Sequence, residues 1–157
     1  VVFSKCIRQG ISLMLQLVDV ASKDPKGIPL TPQDLTKREY FSAAVPEGGW
    51  LSWSSSAARI VNFVRACDYT PFRSPWSHPR TSLGGQTIEI TTAWRTYTSC
   101  DAEPGTVGEV FKEGSFVASA DEWVLIKGLK IGEKFLRPAE ILKPNERLGD
   151  TKVEAAC

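Results

Sequence analysis

Residues 50–66 read WLSWSSSAARIVNFVRA and combine two tryptophans, a run of three serines and a helical pattern. Serine oxygens accept hydrogen bonds from the first free N–H groups of a helix, so Ser54, Ser55 or Ser56 is predicted to cap one. At roughly 100° per residue, the apolar residues after the cap fall on one broad arc: Ala57, Ile60, Val61, Phe63, Val64 and Cys67. The stretch therefore predicts an amphipathic helix that lies on a hydrophobic core.

The opposite arc of this helix carries Arg59, Asn62 and Arg65, and it can be interpreted in two ways. It is either a solvated face whose arginine stems cover the core, or a recognition face. On a recognition face, the Arg65 guanidinium binds a phosphate or carboxylate and Asn62 bonds a neighbouring backbone. Residues 50–80 carry four arginines and one acidic residue. We therefore take Arg59, Asn62, Arg65 and Arg73 as candidate substrate-binding residues.

Composition limits the classes of function. The chain has 157 residues, of which 42% are hydrophobic, and this length is enough for one domain with a real core and an appendage. Its 19 Lys and Arg against 18 Asp and Glu give a net charge of +1. No overall field attracts nucleic acid, membrane or acidic partners, so any such binding must be local.

A change of period from Gln86 onward indicates β-structure. Along residues 86–97, Ile88, Ile90, Thr92, Trp94 and Thr96 form one predicted face of a half-buried strand, and the intervening residues form the other. Further strands are predicted at 105–111, with a bulge at Gly108, at 115–120 and at 122–131. A short helical turn at 137–143 and a fraying polar segment at 145–157 follow. The pattern predicts an α+β fold: an N-terminal helix and linker, then a helix and a small, open, OB-like antiparallel β-barrel.

The segment between this helix and the barrel, residues 68–85, reads DYTPFRSPWSHPRTSLGG. Its prolines exclude a helix, and its aromatic residues predict a loop anchored by its own side chains. His78 is the one histidine of the chain, but no serine or cysteine nucleophile motif accompanies it. We interpret His78 as structural and assign no catalytic residue.

The cysteines and the apolar segments point to the cytoplasm. The four cysteines are scattered and form no CxxC pair, so no metal site is predicted and the thiols are expected to be reduced. The apolar run at 11–21 is shorter than the roughly 20 residues that span a bilayer. We expect a cytoplasmic protein with no membrane partner.

Residues 1–23 are predicted to form a helix with an unusually wide apolar face. Apolar residues recur at helical spacing from Phe3 to Val18, and several leucines widen the stripe, so this helix needs cover on more than one side. The chain opens at Val1 without Met, as a helix entered midway would. Residues 24–49 are rich in Pro and Gly and are longer than most loops within a compact domain, so we expect an interdomain linker. The predicted main domain is then 50–150, with 151–157 as a tail.

Several motifs resemble those of the formyltransferase family. The residues Trp53, Ala57 or Ala58, Ile60, Asn62, Arg65 and Ala66 are similar to the motif that opens its C-terminal domain. Residues 32–34 with Tyr40 resemble the family's linker, and 103–110 and 137–142 resemble a strand entry and a late helical turn of its barrel. After the Arg-Ala pair, family members commonly read Pro-x-Pro-Gly-Ala. This chain departs from that pattern at 67–79, which leaves the acceptor open.

The resemblance implies that residues 1–23 are the last helix of a Rossmann-like catalytic domain located upstream. In the family that domain binds 10-formyltetrahydrofolate and carries the catalytic Asn, His and Asp, and His78 does not match their motif. The chain is thus expected to be an acceptor-binding or buttressing domain that is not catalytic by itself. Its expected partners are the catalytic domain, an acceptor amine and, through residues 1–23, a second copy.

The identity of the acceptor and two other classes of function stay open at this point. A net charge of +1 is small for tRNA binding, which needs several phosphate contacts, so a nucleotide-linked amino sugar is favoured over methionyl-tRNA. One alternative is a non-catalytic interaction module descended from the same barrel. Another is an unrelated small barrel that binds oligonucleotides.

Overall fold

The computed structural model describes residues 2–40, 42 and 44–150. Within them lie two α-helices, α1 (Val2–Lys23) and α2 (Ala57–Ala66). The strands are β1 (Arg80–Leu83), β2 (Gln86–Ser99), β3 (Val107–Phe111), β4 (Gly114–Ala118), β5 (Glu122–Ile131), β6 (Lys134–Leu136) and β7 (Leu148–Gly149). The described residues form two compact units, which divide after residue 42. The predicted tail at 151–157 lies outside the described residues.

The first unit consists of α1 and short turns. The predicted helix is confirmed, and its interpretation as part of an upstream domain stays a prediction. Large apolar side chains of α1 are exposed, with Ile11 at 59% and Leu15 at 66%. After α1, Asp24 accepts a hydrogen bond from the Lys26 backbone N–H at 3.0 Å and starts a 3₁₀ turn, Pro25–Gly27.

The second unit places α2 against a curled antiparallel sheet. The sheet order is β3-β4-β5-β2-β1-β7, and β6 pairs with β5. Thr106, just before β3, bridges Arg147, just before β7, and backbone hydrogen bonds join residues 105–107 to 145–148, so the two edges of the curled sheet meet there. The predicted small open barrel with a helix on it is confirmed.

The core of this unit lies between α2 and the sheet. The buried apolar residues of α2 (Ala57, Ile60, Val61 and Val64) pack with strand residues such as Ile88, Ile90, Val124 and Ile126. Trp53 is fully buried, and its indole Nε1–H donates to Thr81 Oγ1 at 3.0 Å. The Thr81 hydroxyl in turn donates to the Gly149 carbonyl at 2.8 Å. These bonds join the entry to α2, β1 and β7.

The prediction of a fraying segment from residue 145 is wrong for 145–150. Leu148 is 1% exposed and belongs to β7, and the Asp150 carboxylate accepts from the Trp53 backbone N–H at 3.0 Å. This segment is too short to show a period in the sequence, and its pairing with β1 holds it in place. For the same reason, β1 and β6 were not predicted as strands.

The prediction that Trp94 shares a face with Ile88 and Ile90 is also wrong. The register of β2 against β5 shifts between Ile90 and Thr92 and again at Ala93. A bulge of this kind moves every following side chain to the other face. Ala93 is therefore buried and Trp94 is 55% exposed. Opposite the bulge lies Gly128, where an added Cβ would come within 2.4 Å of Thr91 Oγ1, so glycine leaves the room that the bulge needs.

Candidate functional site

Two groups on different elements fix the start of α2. The Ser56 hydroxyl accepts from the Arg59 backbone N–H at 3.4 Å, which confirms a serine cap. The Asp121 carboxylate, between β4 and β5, accepts from the Ala57 N–H at 2.8 Å. This backbone bond lowers the pKa of Asp121 below its ordinary value. A carboxylate at a helix N-terminus also interacts favourably with the helix dipole. Asp121 therefore ties α2 to the sheet and helps to set which face of α2 points outward.

The outward face of α2 meets the second half of β2 in a groove of about 430 Å³. We call it the α2–β2 groove. Its lining includes Asn62 and Arg65 from the helix and Trp94, Arg95 and Tyr97 from the strand. Arg65 is exposed and makes no ion pair with any described residue. The groove therefore presents an unpaired guanidinium beside a row of aromatic rings.

The strand side of the groove is preorganised. Arg95 forms an ion pair with Glu122, and this hydrogen bond raises the pKa of its guanidinium. The Arg95 guanidinium carbon also lies 4.4 Å from the centroid of the Tyr97 ring, and Lys127 Nζ lies 4.6 Å from that of Trp94. Such cation–π contacts keep the cations beside the rings. Tyr97 is 76% exposed and has a φ of 59°, a conformation that costs energy for a non-glycine residue.

The structure separates the four predicted site residues. Asn62 and Arg65 share the α2–β2 groove. Arg59 lines a different, mostly apolar groove and forms an ion pair with Glu47 at 2.7 Å. Arg73 lines a third cavity, together with His78. The two predicted residues that lie together are thus the Asn-Arg pair of the helix motif.

Sequence reasoning missed Trp94, Arg95, Tyr97 and Lys127. A continuous alternation through β2 put Trp94 on the buried face, and the bulge reverses that assignment. The sequence does hold a signal, since AWRTY at residues 93–97 places one arginine between two aromatic residues. Rings beside a cation on one strand are typical of surfaces that bind nucleic acids by stacking.

The described ranges 2–40, 42 and 44–150 hold neither a metal-binding cluster nor a membrane-spanning helix. No group of three or more His, Cys, Asp and Glu side chains there is arranged to hold a metal ion. No helix in those ranges is long and apolar enough to cross a membrane. The cysteines of this part, Cys6, Cys67 and Cys100, are free, and burial raises the pKa of Cys67.

Comparison with known proteins gives a family match and several relatives. Residues 45–145 match the model of the formyl transferase C-terminal domain. Methionyl-tRNA formyltransferase of Bacillus subtilis is 32% identical over 118 residues, which are 69% of this chain and 35% of that protein. The enzyme of the same name from Paraburkholderia phymatum is 30% identical over 126 residues, 80% of this chain and 37% of that protein.

A third relative extends the match toward α1. Methionyl-tRNA formyltransferase of Desulforamulus reducens is 27% identical over 147 residues, which are 90% of this chain and 43% of that protein. The chain thus spans well under half the length of these relatives. The residues that match the family model, 45–145, hold α2 and the strands β1 to β6.

Proposed function

This chain belongs to the formyl transferase C-terminal domain family, and on that premise we propose that it is the acceptor-binding part of a 10-formyltetrahydrofolate-dependent formyltransferase. The domain binds the acceptor amine, and the catalytic groups are supplied by another domain. The observation that carries this proposal is the α2–β2 groove. It places Arg65, which has no ion pair within the described part of the chain, beside the exposed rings of Trp94 and Tyr97.

The chemistry of the groove suits a nucleic acid or nucleotide acceptor. A guanidinium is planar and binds phosphate oxygens with two parallel hydrogen bonds. Exposed aromatic rings stack on bases, with about 1–3 kcal/mol per base. Lys127, over the Trp94 ring, adds positive charge beside the groove, whereas the charge of Arg95 is balanced by Glu122. A local basic and aromatic groove can bind an anionic acceptor although the net charge is only +1.

Methionyl-tRNA is the acceptor we propose first. The relatives described above carry that substrate in their names, and this supports tRNA over the nucleotide-linked amino sugar that net charge alone favoured. Both ligands combine phosphate with a base, so the same groove could accept either. The size of the ligand that competes for the groove distinguishes them.

The apolar face of α1 fits the proposed catalytic domain. Ile7, Ile11, Met14 and Val18 are each about half exposed or more, and covering such a face with another apolar surface is favourable. We assign residues 2–23 to docking on the upstream domain that the sequence resemblance implies, with 24–49 as the linker. Self-association through α1 is the expected behaviour when that domain is not supplied.

The formyl donor is assigned to the same upstream domain. Formyl transfer to an amine needs a base for the amine proton and donors for the oxyanion. His78 lies in the loop before β1 and has neither the motif nor a neighbouring asparagine of the family's catalytic set, so the residues of this chain do not fit a folate-dependent centre. Their role is to hold and orient the acceptor.

Binding of tRNA to the 157-residue chain tests the proposal. In fluorescence anisotropy with labelled initiator tRNA, we expect Arg65→Ala to weaken binding by about tenfold and to reduce the salt slope by about one, as loss of one phosphate contact does. Arg59→Ala is the matched control. It lies on the same helix but is paired with Glu47, and it should change the affinity little.

The other outcomes separate the alternatives. Competition by uridine diphosphate at the α2–β2 groove, seen as a tryptophan fluorescence change that Trp94→Phe removes, would favour a nucleotide-linked sugar acceptor. Equal affinities of wild type, Arg65→Ala and Arg59→Ala for tRNA, with no nucleotide binding, would reject acceptor binding and leave a domain that only buttresses the catalytic domain or serves as an interaction module.

A further inference from the structure

A second cavity of the barrel domain has features that the proposed function does not use. It measures about 730 Å³ and lies between residues 68–78, the first half of β2 and the turn after β5. We call it the loop cavity. Its volume lies in the range of about 300–1,000 Å³ that is usual for small-molecule sites. It shares no lining residue with the α2–β2 groove.

Two buried polar atoms in this cavity lack a hydrogen-bond partner. They are His78 Nδ1 and Glu89 Oε2, and no other buried side-chain nitrogen or oxygen in the described part of the chain is without one. Both residues line the loop cavity. Leaving a buried polar group unpaired costs about 1–3 kcal/mol or more. Because both residues line one cavity, a ligand there that reaches these atoms can complete their hydrogen bonds.

Lys130 shows what kind of group fits beside Glu89. The two residues are direct neighbours in the β2–β5 pairing, yet Lys130 Nζ is 4.0 Å from Glu89 Oε2, which is too long for a hydrogen bond. A hydroxyl group can donate to the carboxylate and accept from the ammonium at the same time. A phosphate would bring negative charge against the Glu89 carboxylate, and an ammonium group offers no acceptor to Lys130.

The other charges of the cavity also disfavour an ionic ligand. Its lining holds three carboxylates, including Asp68 and Glu133, and two permanent cations, Arg73 and Lys130. Opposite charges of nearly equal number give no strong attraction for either sign. His78 Nδ1 can accept from or donate to a hydroxyl, depending on its tautomer. The site is thus polar and close to neutral.

An exposed aromatic ring completes the lining. Phe135 is 69% exposed, and Lys130 Nζ lies 5.9 Å from its ring centroid. Ligand sites commonly combine an apolar face with a few converging polar groups. A ring with hydroxyls on its edge and C–H groups on its face matches Phe135 on one side and the Glu89–Lys130 pair on the other.

We propose that the loop cavity binds a neutral ligand with adjacent hydroxyl groups, of the sugar-ring class. Glu89 and Lys130 hold one pair of hydroxyls, His78 holds a third polar group and Phe135 contacts the ring face. The proposal does not depend on the α2–β2 groove, because the two sites have different residues and different ligands. If the chain fails to bind tRNA, the proposal for the loop cavity is not affected.

Nuclear magnetic resonance of the 157-residue chain tests this. Methyl glucoside, methyl mannoside and methyl galactoside are titrated separately, with inorganic phosphate and methylamine as ionic controls. We expect at least one glycoside to shift the amides of 68–78 and 130–135 in a saturable manner, with a Kd on the order of 1–10 mM. Phosphate and methylamine should not saturate the same amides.

Two variants locate the site. Glu89→Gln should weaken glycoside binding by about tenfold, as loss of a hydrogen bond to a charged group does, and Glu109→Gln, on the exposed side of β3, should not. If Glu89→Gln fails to fold, His78→Phe, which keeps a ring but removes the nitrogens, is expected to weaken binding in the same way. Three results would overturn the proposal: no saturation by any glycoside, tighter saturation by phosphate, or unchanged affinity in a folded Glu89 or His78 variant.

Discussion

The helices α1 and α2 are both amphipathic, but they differ in what covers their apolar faces. Ile60 of α2 is 1% exposed, whereas Ile11 of α1 is 59% exposed. The apolar face of α2 packs on the strands of the barrel. The face of α1 is wider and stays largely exposed. A pattern of apolar residues therefore indicates that a helix needs a partner surface, but it does not identify that surface.

The two helices also differ in how their positions are fixed. Side chains hold the start of α2: Ser56 caps it and Asp121 reaches it from the turn between β4 and β5. That fixed orientation brings Asn62 and Arg65 to the rings of β2. For α2, packing and capping together therefore produce the groove. For α1, the proposed function assigns the covering role to a separate catalytic domain.

Matched substitutions in the two helices should show the largest difference. Ile60→Ala removes a buried side chain and is expected to lower the free energy of unfolding by about 2–5 kcal/mol. Ile11→Ala removes an exposed one and should change it by less than about 0.5 kcal/mol. Urea denaturation followed by tryptophan fluorescence reports the barrel domain, because all five tryptophans lie in residues 43–157, and far-ultraviolet circular dichroism reports α1 as well. Similar losses for both variants would contradict the contrast between the helices.

Removing the serine cap of α2 should lower the free energy of unfolding by less than Ile60→Ala does. Ser56→Ala removes the acceptor for the Arg59 N–H and is expected to cost about 0.5–2 kcal/mol. The exposed Ser54→Ala, two residues earlier, is the control and should be close to neutral. The Ser56→Ala protein should also bind tRNA more weakly, because Arg65 then lies on a helix whose start is held less firmly. A Ser56→Ala protein as stable as Ser54→Ala would show that Asp121 and packing position α2 without the serine.

The Asp121 carboxylate should make the stability of the barrel domain depend on pH. The Ala57 N–H lowers its pKa in the folded state, so its stabilising contribution is present above its unfolded pKa and is lost as the pH falls through the lower, folded value. We expect the melting temperature of wild type to fall more steeply between about pH 5 and pH 2 than that of Asp121→Asn. Asp101→Asn, at an exposed loop position, should keep the wild-type slope. Parallel curves for all three proteins would argue against a role of the Asp121 carboxylate at the helix start.

Much of the fold could be predicted, because it depends on local patterns. The serine cap, the apolar arc of α2 and the period of β2, β4 and β5 are all visible in the sequence. The strands β1, β6 and β7 are two to four residues long and carry no period. They exist because neighbouring strands pair with them, as Leu148 pairs with Leu83. Short strands defined by long-range pairing cannot be found from their own residues.

Only the helix side of the candidate site was predicted from the sequence. The motif on α2 pointed to Asn62 and Arg65, and their exposure follows directly from the helical period. Trp94 was missed because the register shifts between Ile90 and Ala93 reverse the faces of β2, and the space that they need, at Gly128, lies on another strand. Arg59 and Arg73 belong to the same arginine-rich stretch as Arg65. However, Arg59 pairs with Glu47, and Arg73 lines the loop cavity. Sequence shows residue types along a helix, and only the fold shows what each one faces.

Amide hydrogen exchange along both helices of the 157-residue chain tests the central claim most directly, with light scattering on the same sample. The account predicts that α2 amides are protected nearly to the global stability of the barrel domain. It predicts that α1 amides in the monomer exchange at least about 100-fold faster, and gain protection only as the chain self-associates or when a catalytic domain is added. A strict monomer whose α1 amides are as protected as those of α2 would contradict it, because the apolar face of α1 would then need no partner.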